Sequence, residues 1–178
     1  MLSSDDQHRL LTLARAALEA RVRRQPPPPV PRGDVLDVPC DAFVTIHHRG
    51  HLRGCLGRID SEVSLADTVA HLAAVVADSD PRFAPVGRDE LADISLEISV
   101  LTPERGVTGI EEIEVGRHGL VVEQGSRRGL LLPQVATEHG WDRETFVEHT
   151  CIKAGLAPDA WRHGARVLCF EAQVFGEG

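Results

Sequence analysis

The residues best suited to chemistry sit in one short run, His51-Leu52-Arg53-Gly54-Cys55-Leu56-Gly57. It places a guanidinium and a thiol two positions apart. In an extended segment, such residues share a face. A nearby guanidinium favours the thiolate, the form that attacks electrophiles and binds metals. Cys55 is therefore a candidate nucleophile or covalent tether. Arg53 would stabilise the thiolate or hold an anionic substrate through two parallel hydrogen bonds. Gly54 and Gly57 let the backbone bend, or approach a ligand without a clashing Cβ, so they count as binding residues. The plainer alternative is a glycine-bounded turn with a small packed residue. No acid or histidine is identified as a general base by spacing, so the residues leave open whether the chain is an enzyme.

Other candidates lie further along. Lys153 is the only lysine among 19 basic residues. In so arginine-rich a chain, a lysine brings a compact charge with a shiftable pKa, although a cation also simply suits a helix C-terminus. Asp80-Pro81-Arg82-Phe83 reads as a stiff turn that presents Arg82 and an aromatic ring. Gln134 and Glu138 stand four apart on one helix face. His47, His48 and His51 cluster, but adjacent strand residues point to opposite faces. Only His48 and His51 could chelate together, and two ligands do not complete a site. Cys40, Cys55, Cys151 and Cys169 form no CxxC pair. No metal and no cofactor are predicted.

Several elements must position these groups. Ser3 to Arg24 reads as a helix, with Ser3 and Asp6 at capping-box spacing and an apolar stripe of Leu10, Leu11, Ala14, Ala17 and Leu18. Pro26 to Pro29 end it and favour extended polyproline II as a connector. Ala42 to His48 is a strand. Arg49-Gly50 is a two-residue turn into the motif. That register sets His48 opposite His51, Ile46 opposite Arg53 and Val44 opposite Cys55, in a hairpin internal to the sheet. Ser64 and Asp67 open a second helix. Asp93 to Leu101 alternates cleanly as a strand, and Gly119–Glu123 with Gly129–Leu132 forms a hairpin. Pro133 opens a short helix to His139, closed by Gly140. Asp142 caps another helix, which stops at Gly155. Arg166 to Phe175 is a final strand. The order predicts an α+β fold, a largely antiparallel sheet packed with helices, as one domain over residues 1–178.

Composition narrows the function classes. The 178 residues suffice for a proper core. The formal net charge of −8 disfavours nucleic-acid binding, although Arg58, Arg127 and Arg128 could form a local patch. No apolar run approaches the roughly 20 residues of a membrane span. No secretory signal is evident, which predicts reduced thiols and a cytoplasmic location.

The motifs together resemble a known family. Leu52-Arg53-Gly54-Cys55-Leu56-Gly57 is similar to the signature of the AMMECR domain family, also described as protein A of the AmmeMemoRadiSam system. Further matches follow in order: Asp80-Pro81-Arg82-Phe83, Ile98 to Pro103, Gly129 to Ala136 with Glu138 and Trp141, then Cys151 to Leu156 and Trp161. Leu56 stands where the family often has Ile, and Asp41 where a small residue is more usual. The resemblance implies a main α+β body with a smaller subdomain, placed within residues 61–130. It implies no settled reaction. It implies partners, a Memo-like protein and a radical SAM protein, so that the chain would be a binding or adaptor component of a modification pathway. On that reading Arg53, Gly54, Cys55, Gly57, Arg82, Gln134 and Glu138 line a cleft, with Lys153 as a further polar partner. A cysteine-dependent enzyme or carrier is the alternative, and a regulatory nucleic-acid binder the third.

Overall fold

A computed structural model describes residues 2–59 and 61–177. The chain forms two compact units. One comprises residues up to Leu101 together with Gln173 onward; the other is Thr102–Ala172.

The first unit opens with α1 (Ser4–Arg23), and its capping box closes as the spacing predicts. The Ser3 hydroxyl accepts the Asp6 N–H, the Asp6 carboxylate returns to the Ser3 N–H, and Arg24 ends the helix in the left-handed region. The proline tract then passes α1, leaving a groove of about 480 Å³ lined partly by Leu13, Ala16, Pro28 and Pro31. Strands β1 (Ala42–His48) and β2 (His51–Arg58) form the hairpin. Arg49 and Gly50 both take positive φ, 52° and 80°, which suits a two-residue hairpin turn. The Arg49 guanidinium grips Asp93 at 2.7 Å, anchoring this strained residue. Helix α2 (Leu65–Val75) is capped by Ser64, and β3 (Ile94–Leu101) pairs with β1.

The strand order within this unit is β2-β1-β3, so β1 is internal and β2 lies at the edge. That corrects the expectation of a wholly internal hairpin. Alternate residues Ala42, Val44, Ile46, Leu96 and Ile98 are buried with Leu10, Leu18, Val69 and Leu72 of the two helices. Each large aliphatic side chain taken from water there contributes about 1.5–3 kcal/mol.

The second unit contains β4 (Arg105–Gly106), β5 (His118–Gln124), β6 (Arg127–Leu131), α3 (Pro133–His139), α4 (Arg143–Lys153) and the first part of β7 (Arg166–Gly176). Strand β5 lies between β6 and β7, and β4 adds to β7, all antiparallel. The helices cover one face through Phe146, Val147, Cys151 and Ala136, which pack with Leu120, Val122 and Cys169. Both units seat a phenylalanine across a cross-strand glycine. Phe43 faces Gly57 and Phe170 faces Gly119, and a Cβ on either glycine would fall 2.2 Å from the ring.

Candidate functional site

The hairpin begins in the expected register, with His48 opposite His51. A β-bulge then intervenes. His47 faces Leu52 and Ile46 faces Gly54, which leaves Arg53 as the extra residue. Everything beyond it slips by one position. Cys55 faces Thr45 rather than Val44, and Leu56 takes the place beside Val44 against the core. One inserted residue exchanges the two faces of a strand, and this register sets half-buried Leu56 rather than Cys55 against the core. Gly54 fits this close approach, since a Cβ there would lie 3.1 Å from the Val76 carbonyl oxygen at the end of α2.

The slip builds a polar row across three strands. Cys55, Thr45 and Glu97 stand side by side on the face away from the helices. The Thr45 hydroxyl donates to the Cys55 sulfur at 3.2 Å. His47 lies on the same face, two residues along β1 from Thr45.

Along the outer edge of β2, the segment from Ala77 to Glu90 satisfies groups that an edge strand leaves open. The Cys55 N–H donates to Asp80 Oδ2 at 2.9 Å. Asp80 also accepts the Arg82 N–H at 3.1 Å, Arg82 Nε at 3.0 Å and Arg82 Nη2 at 2.7 Å. Asp80 is a buried residue, only 4% exposed. The Arg82 guanidinium, followed by the Cys55 N–H, holds it far below the usual carboxylate range, against the opposing effect of burial. Arg82 in turn lies 5.4 Å from the centre of the Phe83 ring.

Arg53 does different work from that expected beside the thiol. Its Nε and Nη2 donate to Glu90 at 2.8 and 3.0 Å, and its Nη1 and Nη2 reach the Ala84 and Pro85 carbonyls. Glu90 is thereby held below its ordinary pKa, first by Arg53, with help from the Gly87 N–H. Arg53 fastens the 84–90 segment to β2.

The remaining thiols are structural in character. Cys151 and Cys169 lie in the second core, and burial pushes both upward in pKa. Cys40 is pushed up for the same reason and donates to the Leu101 carbonyl. Burial favours the neutral thiol, which is the less reactive form.

Gln134, Glu138 and Lys153 belong to the second unit, whereas Arg53, Gly54, Cys55, Gly57 and Arg82 belong to the first. Within the second unit, two motif segments do meet. Gly129 of β6 passes so close to the end of α4 that a Cβ would lie 2.3 Å from the Ala154 nitrogen. Arg127 donates to the Gly155 carbonyl at 2.8 Å. Lys153, in the last turn of α4, is exposed; Gln134 is half-buried and Glu138 exposed.

A family model described as AMMECR1 matches residues 11–175. The chain belongs to the AMMECR1 family. Among its relatives, Protein Mbar_A1807 of Methanosarcina barkeri is 51% identical over 140 residues, which cover 76% of this chain and 69% of that protein. A protein of Methanothermobacter thermautotrophicus is 44% identical and covers 99% of this chain and 96% of its own length. The crystal structure of the uncharacterized protein PH0010 from Pyrococcus horikoshii superposes with a TM-score of 0.84 at 38% identity, covering 94% of this chain and 89% of that one. The AMMECR family suggested by the motifs is the family the chain belongs to, and the expected α+β fold with its antiparallel sheet is the one found.

Sequence reasoning missed Thr45 and Glu97. Their place beside Cys55 depends on a bulge that no local pattern announces. Asp80 was visible only as the first residue of a turn. The signal was its spacing two before Arg82, which lets one carboxylate hold both that side chain and its backbone N–H.

Proposed function

We propose that this AMMECR1 protein is a binding component of a modification pathway, acting with a Memo-like protein and a radical SAM protein, and that the outer face around Cys55 is its working surface. One observation carries the preference for binding over catalysis. The carboxylate nearest Cys55 is Asp80, and its oxygens are filled by the Cys55 N–H and by Arg82. A carboxylate held so strongly ionised is a poor proton acceptor. It fixes geometry and does not move protons. The partner assignment rests on family resemblance.

The face suits recognition in other respects. Leu52 is 44% exposed beside half-buried His47, Thr45 and Cys55, an apolar residue within a polar setting. The alternative, a cysteine-dependent enzyme or carrier, draws on the Thr45 hydroxyl at the Cys55 sulfur. The nucleic-acid reading is weakened by pairing: Arg128 is bonded to Glu104 and Glu123, and Arg127 to a backbone carbonyl.

The test uses purified proteins. The Memo-like and radical SAM proteins of the same organism are mixed with this chain, singly and together, and examined by sedimentation velocity. A complex that Leu52→Glu abolishes, while circular dichroism stays unchanged, is the expected result. Absence of any complex, or one indifferent to Leu52→Glu, would overturn the assignment of this face.

A further inference from the structure

The geometry points to Arg82 as an anion receptor beside Cys55: the ligand of this face carries a carboxylate or similar oxyanion that docks on the Arg82 guanidinium. This inference rests on the reading that the Cys55 face is the working surface, and it names what that surface takes.

Three observations carry it. First, Arg82 is both fixed and open. Its side chain is 55% exposed, whereas that of its partner Asp80 is 3% exposed. An ordinary surface ion pair leaves both groups mobile in water and contributes little. Here the carboxylate is sunk and the guanidinium rides on it, held through two of its nitrogens and backed by the Phe83 ring. The pair is a dipole with its positive end outward. Arg82 Nη1 has no hydrogen-bond partner among the described residues, so a donor remains for an incoming anion.

Second, the same carboxylate oxygen ties this cation to the cysteine. Asp80 Oδ2 accepts Arg82 Nη2 at 2.7 Å and the Cys55 N–H at 2.9 Å. The guanidinium and the Cys55 backbone are therefore one oxygen atom apart. Arg82 holds its proton more firmly than an ordinary arginine, first through its hydrogen bonds to Asp80.

Third, the competing arginine is spent. Three nitrogens of Arg53 serve Glu90 and two backbone carbonyls, and its side chain is only 16% exposed. The charge on the face has direction as well. Arg82 stands at the β2 edge, and Glu97 stands beyond Thr45 on the side away from Cys55. An anion is drawn to the edge and repelled from the interior of the sheet. A ligand anchored at Arg82 thus extends its remaining atoms across the sulfur.

The experiment reads the potential at the sulfur and needs no identified ligand. Cys55 is alkylated with iodoacetate, which bears a carboxylate, and with neutral iodoacetamide. In each reaction the sulfur–carbon bond forms from the thiolate, the carbon–iodine bond breaks and iodide leaves. The extent at Cys55 is read by peptide mass spectrometry. The expected ratio of the iodoacetate to the iodoacetamide rate constant is about fivefold higher in the native protein than in the urea-unfolded chain, because a fixed unit charge nearby favours the anionic reagent. Arg82→Gln returns the ratio to the unfolded value, and Arg82→Lys keeps part of the excess. Should Arg82→Gln fail to fold, raising the salt towards 1 M does the same for the unaltered protein, since screening then acts within about 3 Å. A native ratio equal to the unfolded one, a ratio unmoved by Arg82→Gln or salt, or a Cys55 closed to both reagents would overturn the inference. Loss of the protein complex alone would leave the ratio intact, so the two readings fail separately.

Discussion

At the scale of single residues, Asp80 decides the most. It is buried, ionised and shared between a backbone N–H and a guanidinium. Its pKa in the folded chain is depressed below the unfolded value near 3.9. A depressed carboxylate contributes stability that is fully present above the unfolded pKa and is lost as pH falls through the folded one. Urea midpoints of the unaltered protein should therefore fall steeply between about pH 5 and pH 2. Asp80→Asn should lower the midpoint at neutral pH and flatten that acid slope. An acid slope unchanged by Asp80→Asn would mean that other carboxylates, such as Glu90, carry it. Glu112 is also depressed, to about 2, through the hydroxyl and N–H of Thr108 and through Arg105. It is half-buried, belongs to the other unit and pairs with an exposed Arg105, so its share of the slope is smaller.

At the scale of elements, glycines set the spacing where a strand meets something large. Gly57 yields to a ring, but Gly129 yields to backbone at the end of α4. A ring can rotate and a helix end cannot. Gly129→Ala should cost about 3 kcal/mol, from overpacking against rigid atoms. Thermal unfolding followed at 222 nm checks the size. Faster amide exchange in α4 and β6 should localise the damage. Protection unchanged in both elements would show that the helix end adjusts without strain. The bulge at Arg53 acts at this scale too. It carries Arg53 out of the regular ladder, where it clamps the 84–90 segment, and sets Cys55 in line with Thr45.

At the scale of the whole molecule, the first unit is discontinuous in sequence and closes on residues from the far end of the chain. Glu177 makes the closure. Its backbone N–H donates to the Leu96 carbonyl at 2.9 Å, its carboxylate accepts the Leu96 N–H at 3.0 Å, and it pairs with Arg15 of α1. Arg15 also donates to the Ile94 carbonyl at 2.7 Å. Both side chains of the pair are three-quarters buried. Removing Glu177 leaves the largely buried Arg15 charge without its carboxylate, so Glu177→Ala should cost about 2 kcal/mol. Hydrogen exchange should quicken in α1 and β3 and stay unchanged in α4 and β5. Equal quickening everywhere would show that the chain unfolds only as a whole. No helix among the described residues is long and apolar enough to cross a membrane.

Features that depend on neighbours along the chain are legible without any tertiary information. Caps at Ser3, Ser64 and Asp142, stops at Gly140 and Gly155, and the turn at Arg49-Gly50 follow from local hydrogen bonds and allowed φ, and each lies where its residues place it. The family was legible because its motifs recur in a fixed order. Which arginine attends Cys55 is set instead by long-range packing. Arg53 is two residues from the thiol and Arg82 is twenty-seven away, yet a bulge and one buried carboxylate bind Arg82 to the cysteine and turn Arg53 to Glu90. Packing of Leu56 beside Val44, and the need of an edge strand for partners, are long-range demands, and they override the simple two-residue period from which the hairpin was first read.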